Sequence, residues 1–152
     1  HPLLPEEGPG RGGYEPQVDV CAANKEEAFQ CICDMLTKAD VLNSAEEFKK
    51  DLYLREKEGR TGIGNGVAIP HGKSLAVKDT CISVLKLRDP IEWETLDGKP
   101  VRVLICFAVS DKDRTDKFLR MMAQVARKLA HQETIDNLMA ATTPDELLAA
   151  LA

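Results

Sequence analysis

Apolar positions recur every three to four residues between about residues 24 and 39, which predicts an amphipathic helix. Asn24 is a residue type favoured at the N-cap, and Glu27 three positions later completes a capping-box arrangement. The apolar face consists of Ala28, Cys31, Ile32, Met35, Leu36 and Ala39. The spacing therefore predicts a first helix that begins after Asn24 and ends near Ala39.

A second capping box follows directly and begins at Ser44. The stripe behind it contains Phe48 and Leu52 and continues into Arg55. The pattern ends near Gly59, a residue type that often follows a helix C-terminus. We therefore expect two consecutive capped helices.

The period changes after residue 60, where short β-branched runs bounded by Pro or Gly predict strands. These runs are Val67–Ile69, Thr80–Leu87, Ile91–Trp93 and Val101–Val109. Asp97-Gly98 between the last two runs is typical of a hairpin turn. Residues 103–109 are apolar throughout, which favours a central strand covered by helices on both faces.

The last third of the chain returns to a helical pattern. It predicts a long helix from about Thr115, a short one around Ile135–Met139, and a last one with Thr143 as its N-cap and Pro144 in its first position. Helices before and after the block of strands predict an α/β fold, a three-layer α/β/α sandwich around a mixed central sheet of four to five strands.

The N-terminus has a different composition. The first 16 residues contain Pro2, Pro5, Pro9 and Pro16 together with Gly8, Gly10, Gly12 and Gly13. Such a segment buries too little apolar surface to offset its ordering entropy. We therefore expect a flexible leader or linker remnant over residues 1–17 and one folded domain over residues 18–152.

Composition excludes several classes of function. The 20 Lys and Arg residues against 25 Asp and Glu give a net charge of −5, which argues against nucleic-acid binding through bulk positive charge. No apolar run approaches the ~18 residues that span a bilayer, and no signal-peptide pattern is present, so we expect a cytoplasmic protein without direct membrane insertion. The spacing of Cys21, Cys31, Cys33, Cys81 and Cys106 fits neither a zinc site nor a disulfide framework and favours reduced thiols in the core.

The segment from Arg60 to Ser74 carries the candidate chemistry. Alternate glycines free its backbone, and successive amides in such a loop can hold an anion. The predicted anion-binding loop includes Gly62, Gly64, Asn65 and Gly66. A short strand then leads through Pro70 to His71, which places an imidazole at the edge of a sheet beside the loop. The glycine spacing matches neither the dinucleotide fingerprint nor a Walker A loop.

A neutral imidazole is a competent nucleophile towards a phosphoryl group, and transfer of that group requires positive charge near its oxygens. Arg55 lies on the inward stripe of the second helix, and a guanidinium fits phosphate well. An ion pair of Arg55 with Glu56 or Glu58 explains the same position equally well. Asp40 or Glu56 could orient the imidazole of His71.

The chain contains a long motif that consists of Arg55-Glu56 and, after four intervening residues, Thr61-Gly62-Ile63-Gly64-Asn65-Gly66-Val67-Ala68-Ile69-Pro70-His71-Gly72. It resembles the signature of the fructose/mannitol-type enzyme IIA domains of the bacterial sugar phosphotransferase system. The likeness extends through Leu96-Asp97-Gly98-Lys99-Pro100-Val101 and the following helix, and it covers about residues 18–151. Residues 72–78 look closer to the fructose branch than to the nitrogen-regulatory branch.

This resemblance implies that His71 accepts a phosphoryl group from the phosphocarrier protein HPr and passes it to a cysteine of an enzyme IIB. Arg55 matches the phosphate-facing arginine of the family, and Thr61 matches the loop threonine beside it. The fold of the family agrees with the predicted sandwich. No metal or organic cofactor is implied.

One position departs from the family pattern. Members usually have a second histidine just before the Leu of the long helix, where this chain has Lys117-Phe118-Leu119. Lys117 could supply charge as an accessory group, but a hydrated ammonium does not imitate the directed hydrogen bond of an imidazole. We expect the difference to affect the rate of transfer or the identity of the partners more than the phosphorylation site.

The sequence is consistent with two main functions. The chain is either a phosphoryl carrier for uptake of a fructose-class sugar, or a regulatory module whose phosphorylation state controls binding to a transporter, a kinase or a transcription regulator. The absent second histidine favours the regulatory hypothesis modestly. A third possibility, the cytoplasmic domain of an anion transporter with a related fold, should lack the His71 motif.

Overall fold

The computed structural model describes residues 14–113 and 116–152, which form six strands and five helices. The strands are β1 (Tyr14–Val20), β2 (Gly62–Gly64), β3 (Val67–Ala68), β4 (His71–Ser74), β5 (Cys81–Ile91) and β6 (Val101–Ser110). The helices are α1 (Lys25–Lys38), α2 (Ala45–Glu58), α3 (Lys117–Leu129), α4 (Gln132–Ala140) and α5 (Pro144–Leu151).

The six strands form one mixed sheet with the order β1-β5-β6-β3-β2. β5 and β6 are antiparallel, whereas β1 is parallel to β5, and β3 and β4 are both parallel to β6. β4 pairs with β6 beyond β3, so β3 and β4 occupy one line of the sheet. The sheet is therefore five strands wide, the upper value expected from the sequence.

The central strand β6 separates two layers of helices. All residues from Val103 to Val109 are buried, and their side chains alternate between two hydrophobic clusters. One cluster includes the buried faces of α1 and α2, and the other includes those of α3, α4 and α5. This arrangement confirms the predicted α/β/α sandwich.

Three helices begin at the predicted N-cap residues. The side chains of Asn24, Ser44 and Thr143 each accept a hydrogen bond from the backbone N–H three residues later. The carboxylate of Glu27 reaches back to the N–H of Ala23, at 3.0 Å, rather than to that of the cap residue itself. The carboxylate of Glu146 likewise accepts from the N–H of Thr142, at 2.7 Å. The capped helices are therefore confirmed, with both of these carboxylates bound one residue before the cap.

The sheet begins earlier than the sequence predicts. Residues 14–17, assigned above to the leader, pair with β5 as part of β1, and the rest of the predicted leader lies outside the described residues. β1 is an edge strand, and an edge strand tolerates Pro16, which has no N–H to donate. A proline-rich composition was therefore a poor indicator of the boundary here.

A second difference concerns the predicted strand Ile91–Trp93, which is not a separate element. β5 continues to Ile91, with a register shift between Lys86 and Ile91 that accommodates Pro90. The predicted turn at Asp97-Gly98 lies in the longer connection to β6, where Thr95 bridges to Gly62. The proline marked a bulge in one strand rather than the end of it.

The cysteines follow the expected pattern in part. Cys33, Cys81 and Cys106 are buried in the core, whereas Cys31 is half-buried and Cys21 is exposed. Burial raises the pKa of Cys33 to about 11, so its thiol stays protonated. Within the described part of the chain, no helix is long and apolar enough to cross a membrane.

Helix α2 lies directly against β4 at Gly72. A Cβ atom at this residue would lie 3.2 Å from Cε1 of Phe48 and 3.3 Å from the backbone nitrogen of Leu52. The missing side chain therefore allows the backbones of α2 and β4 to approach closely. This approach sets the distance between the last turn of α2 and the first residue of β4.

We expect Gly72→Ala to lower the free energy of unfolding by about 1–3 kcal/mol, because α2 must move away from β4 to admit the methyl group. Urea denaturation followed by far-UV circular dichroism measures this change. Lys73→Ala, at the exposed neighbouring position, is the control and should change stability by less than about 0.5 kcal/mol. Unaltered stability of Gly72→Ala would contradict the close packing.

Candidate active site

A break in the sheet precedes His71, the first residue of β4. β3 and β4 both pair with β6, but Ile69 and Pro70 between them belong to neither strand. Pro70 has no N–H, and its carbonyl accepts a hydrogen bond from the N–H of Phe107 at 3.0 Å. The break brings the carbonyl of Ile69 within reach of the imidazole, 3.2 Å from Nδ1 of His71.

Two hydrogen bonds define the protonation state of the ring. Nε of Arg55 lies 3.1 Å from Nε2 of His71, and a guanidinium can only donate. The carbonyl of Ile69 can only accept, so Nδ1 carries the proton that it shares with this oxygen. The ring is therefore the Nδ1–H tautomer, and the lone pair of Nε2 faces the guanidinium.

Arg55 reaches the ring from the last turn of α2. Its Nη1 donates to the carbonyl of Gly59 at 3.0 Å, which fixes the guanidinium against the end of its own helix. Among residues 14–113 and 116–152, Arg55 forms no ion pair with a carboxylate, and Glu56 pairs with Lys25 instead. Of the two alternatives left open by the sequence, the structure shows the guanidinium facing the imidazole.

The surroundings of His71 keep the ring neutral. Burial of the half-buried ring lowers the pKa of His71 below its ordinary value of 6.5, and the charge of Arg55 acts in the same direction. The hydrogen bond to Ile69 and the charges of Glu56 and Glu58 oppose this shift in pKa. The net direction leaves the lone pair of Nε2 available at neutral pH.

Thr61 and Glu56 lie behind the guanidinium rather than beside the ring. Thr61 is 2% exposed, and its hydroxyl donates to Oε2 of Glu56 at 2.7 Å and accepts from the indole N–H of Trp93 at 2.9 Å. Oε1 of Glu56 accepts from Lys25 at 2.7 Å. These groups bind one another and support the end of α2.

The predicted anion-binding loop does not lie at His71. Asn65 and Gly66 have positive φ angles of 57° and 78° and form the turn between β2 and β3. Val67 pairs with Val103, four residues before the partner of His71 on β6, so Val67 lies about 13 Å from His71 along the sheet, and the turn precedes Val67.

The glycines of this loop have structural roles instead. The N–H of Asn65 donates to Asp97 at 3.0 Å, and a Cβ on Gly64 would lie 3.3 Å from the same carboxylate. A Cβ on Gly62 would lie only 2.2 Å from Cγ2 of Thr95. The alternate glycines therefore serve a tight hairpin and its packing on the 95–97 turn, and Asn65-Gly66 was the signal of a hairpin.

The remaining candidates also lie apart from the ring. Asp40 pairs with Lys78 at 2.6 Å, so neither it nor Glu56 orients the imidazole. Lys117 is exposed and lines a depression of about 240 Å³ with Lys78 and Lys112, and no contact to His71 is found in the described part of the chain. The predicted accessory role of Lys117 therefore has no support from this placement.

Phe118 contacts the imidazole instead. Its ring centroid lies 5.4 Å from that of His71, with an angle of 37° between the planes. Phe118 also packs edge-on against Phe107, with centroids 5.5 Å apart. It occupies the position just before Leu119 where the resemblance places a second histidine. The absence of that histidine is evident from the sequence, whereas the contact between Phe118 and His71 is not.

The sequence and the fold both match those of known proteins. A sequence profile described as "Phosphoenolpyruvate-dependent sugar phosphotransferase system, EIIA 2" matches residues 17–152. The chain belongs to this enzyme IIA family. Its members are phosphotransferase components.

Relatives of this enzyme IIA chain differ in their described roles. The PTS system 2-O-alpha-mannosyl-D-glycerate-specific EIIABC component of Escherichia coli is 34% identical over 129 residues, which are 84% of this chain and 20% of that protein. The chain thus spans about a fifth of the length of this relative. The fructose-like EIIA component of Escherichia coli is 36% identical over 110 residues, 72% of this chain and 73% of that protein.

A solved structure carries a regulatory description. The crystal structure of the nitrogen regulatory protein IIA-Ntr from Neisseria meningitidis superimposes with a TM-score of 0.81 at 29% identity. The superposition covers 90% of this chain and 92% of that one. The relatives therefore share the fold and the family and include both sugar-specific and regulatory proteins.

We expect the ring of His71 to titrate below pH 6.5 in a carbon-detected NMR titration. Replacement of the guanidinium in Arg55→Gln should raise the pKa of His71, because a nearby positive charge that disfavours the imidazolium is lost. Lys57→Gln, which removes one exposed positive charge from the same helix, is the matched control and should leave the pKa of His71 unchanged. An upward shift in the control alone would contradict the contact.

Proposed function

We propose that this enzyme IIA chain carries a phosphoryl group on Nε2 of His71, accepts it from phosphorylated HPr and passes it to a cysteine of an enzyme IIB. The observation that supports this proposal most is the lone pair of Nε2 directed at the guanidinium of Arg55. A nucleophile and a cation for the incoming anion thus meet at one half-buried point.

The transfer step follows from the tautomer. The lone pair of Nε2 attacks phosphorus, the bond between phosphorus and the donor breaks, and its electron pair leaves with the donor. The ring then carries the positive charge of a phosphorylated imidazolium, and its Nδ1–H continues to donate to the carbonyl of Ile69. Discharge to the acceptor reverses these changes and returns the neutral ring.

Arg55 exchanges its partner during this step. Phosphorylation consumes the lone pair that now accepts from Nε of Arg55, so the guanidinium becomes free to bind the phosphoryl oxygens. Transfer of a phosphoryl group depends mainly on position and on neutralisation of charge, which one fixed guanidinium supplies. No metal or organic cofactor takes part in this scheme.

The choice between transport and regulation concerns the acceptor. The names of two relatives, an EIIABC component and a fructose-like EIIA component, support transfer towards a sugar of the same general class. The nitrogen regulatory relative and the absent second histidine support a regulatory module whose phosphorylation state controls a partner. Both functions use the same phosphohistidine, and we favour the carrier because the motif is closer to the fructose branch.

Incubation with radiolabelled phospho-HPr should label the wild-type chain, and His71→Ala should abolish the label because Nε2 is the nucleophile. His131→Ala, which removes an exposed histidine elsewhere, is the control and should be labelled normally. Label that persists in His71→Ala would contradict the assignment. A chase with isolated enzyme IIB separates the two functions, since only a carrier loses its label to the acceptor cysteine.

Arg55→Lys should slow labelling of His71 by about 100-fold, because a point charge on a flexible stem does not replace the fixed planar guanidinium. Rapid-quench measurements of the transfer from phospho-HPr give this rate. Lys57→Ala on the same helix should transfer at the rate of the wild type. A rate for Arg55→Lys within twofold of the wild type would argue against the proposed contact with phosphate.

A further inference from the structure

Phosphorylation leaves the ring of His71 with fewer constraints than it has at rest. In the resting state one hydrogen bond holds each ring nitrogen, from Arg55 to Nε2 and from Nδ1 to Ile69. The bond to Nε2 is lost once this nitrogen is bonded to phosphorus, as derived under the proposed function. The hydrogen bond at Nδ1 is then the one that still holds the ring itself, because the guanidinium of Arg55 binds the phosphoryl oxygens instead of a ring nitrogen.

The contact of His71 with Phe118 does not depend on a ring nitrogen. The two ring centroids are 5.4 Å apart in a tilted arrangement, so the phenyl group covers the imidazole without using either nitrogen. The face of an aromatic ring also attracts a cation, and the imidazole becomes cationic when it is phosphorylated. This contact therefore persists through the step in which the hydrogen bond of Arg55 is lost.

Phe118 is itself held in place on two sides. Its ring packs edge-on against Phe107, which is fully buried and is the pairing partner of His71 in the sheet. Its backbone N–H donates to Oδ2 of Asp113 at 3.3 Å, and the same oxygen accepts from the hydroxyl of Thr80 at 3.1 Å. The start of α3 is thereby tied to the start of β5.

We propose that Phe118 is a positioning residue of the phosphoryl-transfer step, which holds the imidazole of His71 through ring packing after Nε2 has lost its hydrogen bond to Arg55. This inference rests on the proposed phosphorylation of His71. Relatives usually have a second histidine at this position. Here the apolar ring of Phe118 would take over its role of supporting the imidazole of His71. The phenyl group does this without a hydrogen bond to the phosphoryl group.

The test uses potassium phosphoramidate, a small phosphoryl donor that requires neither HPr nor enzyme IIB. Wild-type chain should form one product, phosphorylated at Nε2, as identified by ¹H–³¹P and ¹H–¹⁵N correlation spectra. In Phe118→Ala the phosphorylated ring lacks this contact, so the Nε2 product should hydrolyse about threefold to tenfold faster, the range expected for loss of one aromatic contact.

Phe118→Tyr retains the ring and should restore the lifetime of the Nε2 product. Leu119→Ala is the matched control, because it alters the next residue of α3, which is exposed. Behaviour of Phe118→Ala like the wild type would overturn the inference. Equal losses in Phe118→Tyr or in Leu119→Ala would also overturn it, since they indicate a general disturbance of α3.

The outcome for the proposed function is separate. Labelling by phosphoramidate together with a failure of phospho-HPr to label the wild type would contradict the partner and leave the inference on Phe118 intact. Normal transfer from HPr together with an unaffected Phe118→Ala variant would contradict the inference alone.

Discussion

The site depends on the pair of hydrogen bonds that fix the tautomer of one imidazole. The carbonyl of Ile69 holds the proton on Nδ1, and the guanidinium of Arg55 then meets the lone pair of Nε2. Without the carbonyl the other tautomer would present an N–H to a guanidinium, an arrangement with two donors and no acceptor. The chemistry of the ring is therefore set by a backbone oxygen, and the identity of Ile69 as a side chain has little part in it.

That geometry is a consequence of how two elements pack. The strand is interrupted at Ile69 and Pro70, pairing with β6 resumes at His71, and Gly72 then allows α2 to approach the strand closely. Arg55 lies in the last turn of α2, and the close approach of α2 to β4 brings its guanidinium to His71. Behind it, the buried hydroxyl of Thr61 and the carboxylate of Glu56 bind each other and steady the turn that follows the helix.

Much of this could be predicted from the sequence, because the relevant signals are local. Capping residues and apolar spacing predicted the helices, and the apolar run of β6 predicted a strand covered on both faces. The loop of alternate glycines was misplaced because glycine permits an anion-binding loop and a tight hairpin alike, and only the pairing of β2 with β3 distinguishes them. The strand β1 was missed because its stability comes from a distant partner, β5, and not from its own composition.

The replacement of a second imidazole by Phe118 has a thermodynamic consequence for a carrier. A group that donates a hydrogen bond to the phosphoryl oxygens stabilises the charged state of the site and makes release to the next partner more costly. A phenyl ring donates no hydrogen bond to those oxygens, so it orients the imidazole without adding to the charge stabilisation that a second donor would supply. Under the proposed function, retention of the phosphoryl group depends chiefly on Arg55, whose guanidinium faces His71 in the described part of the chain.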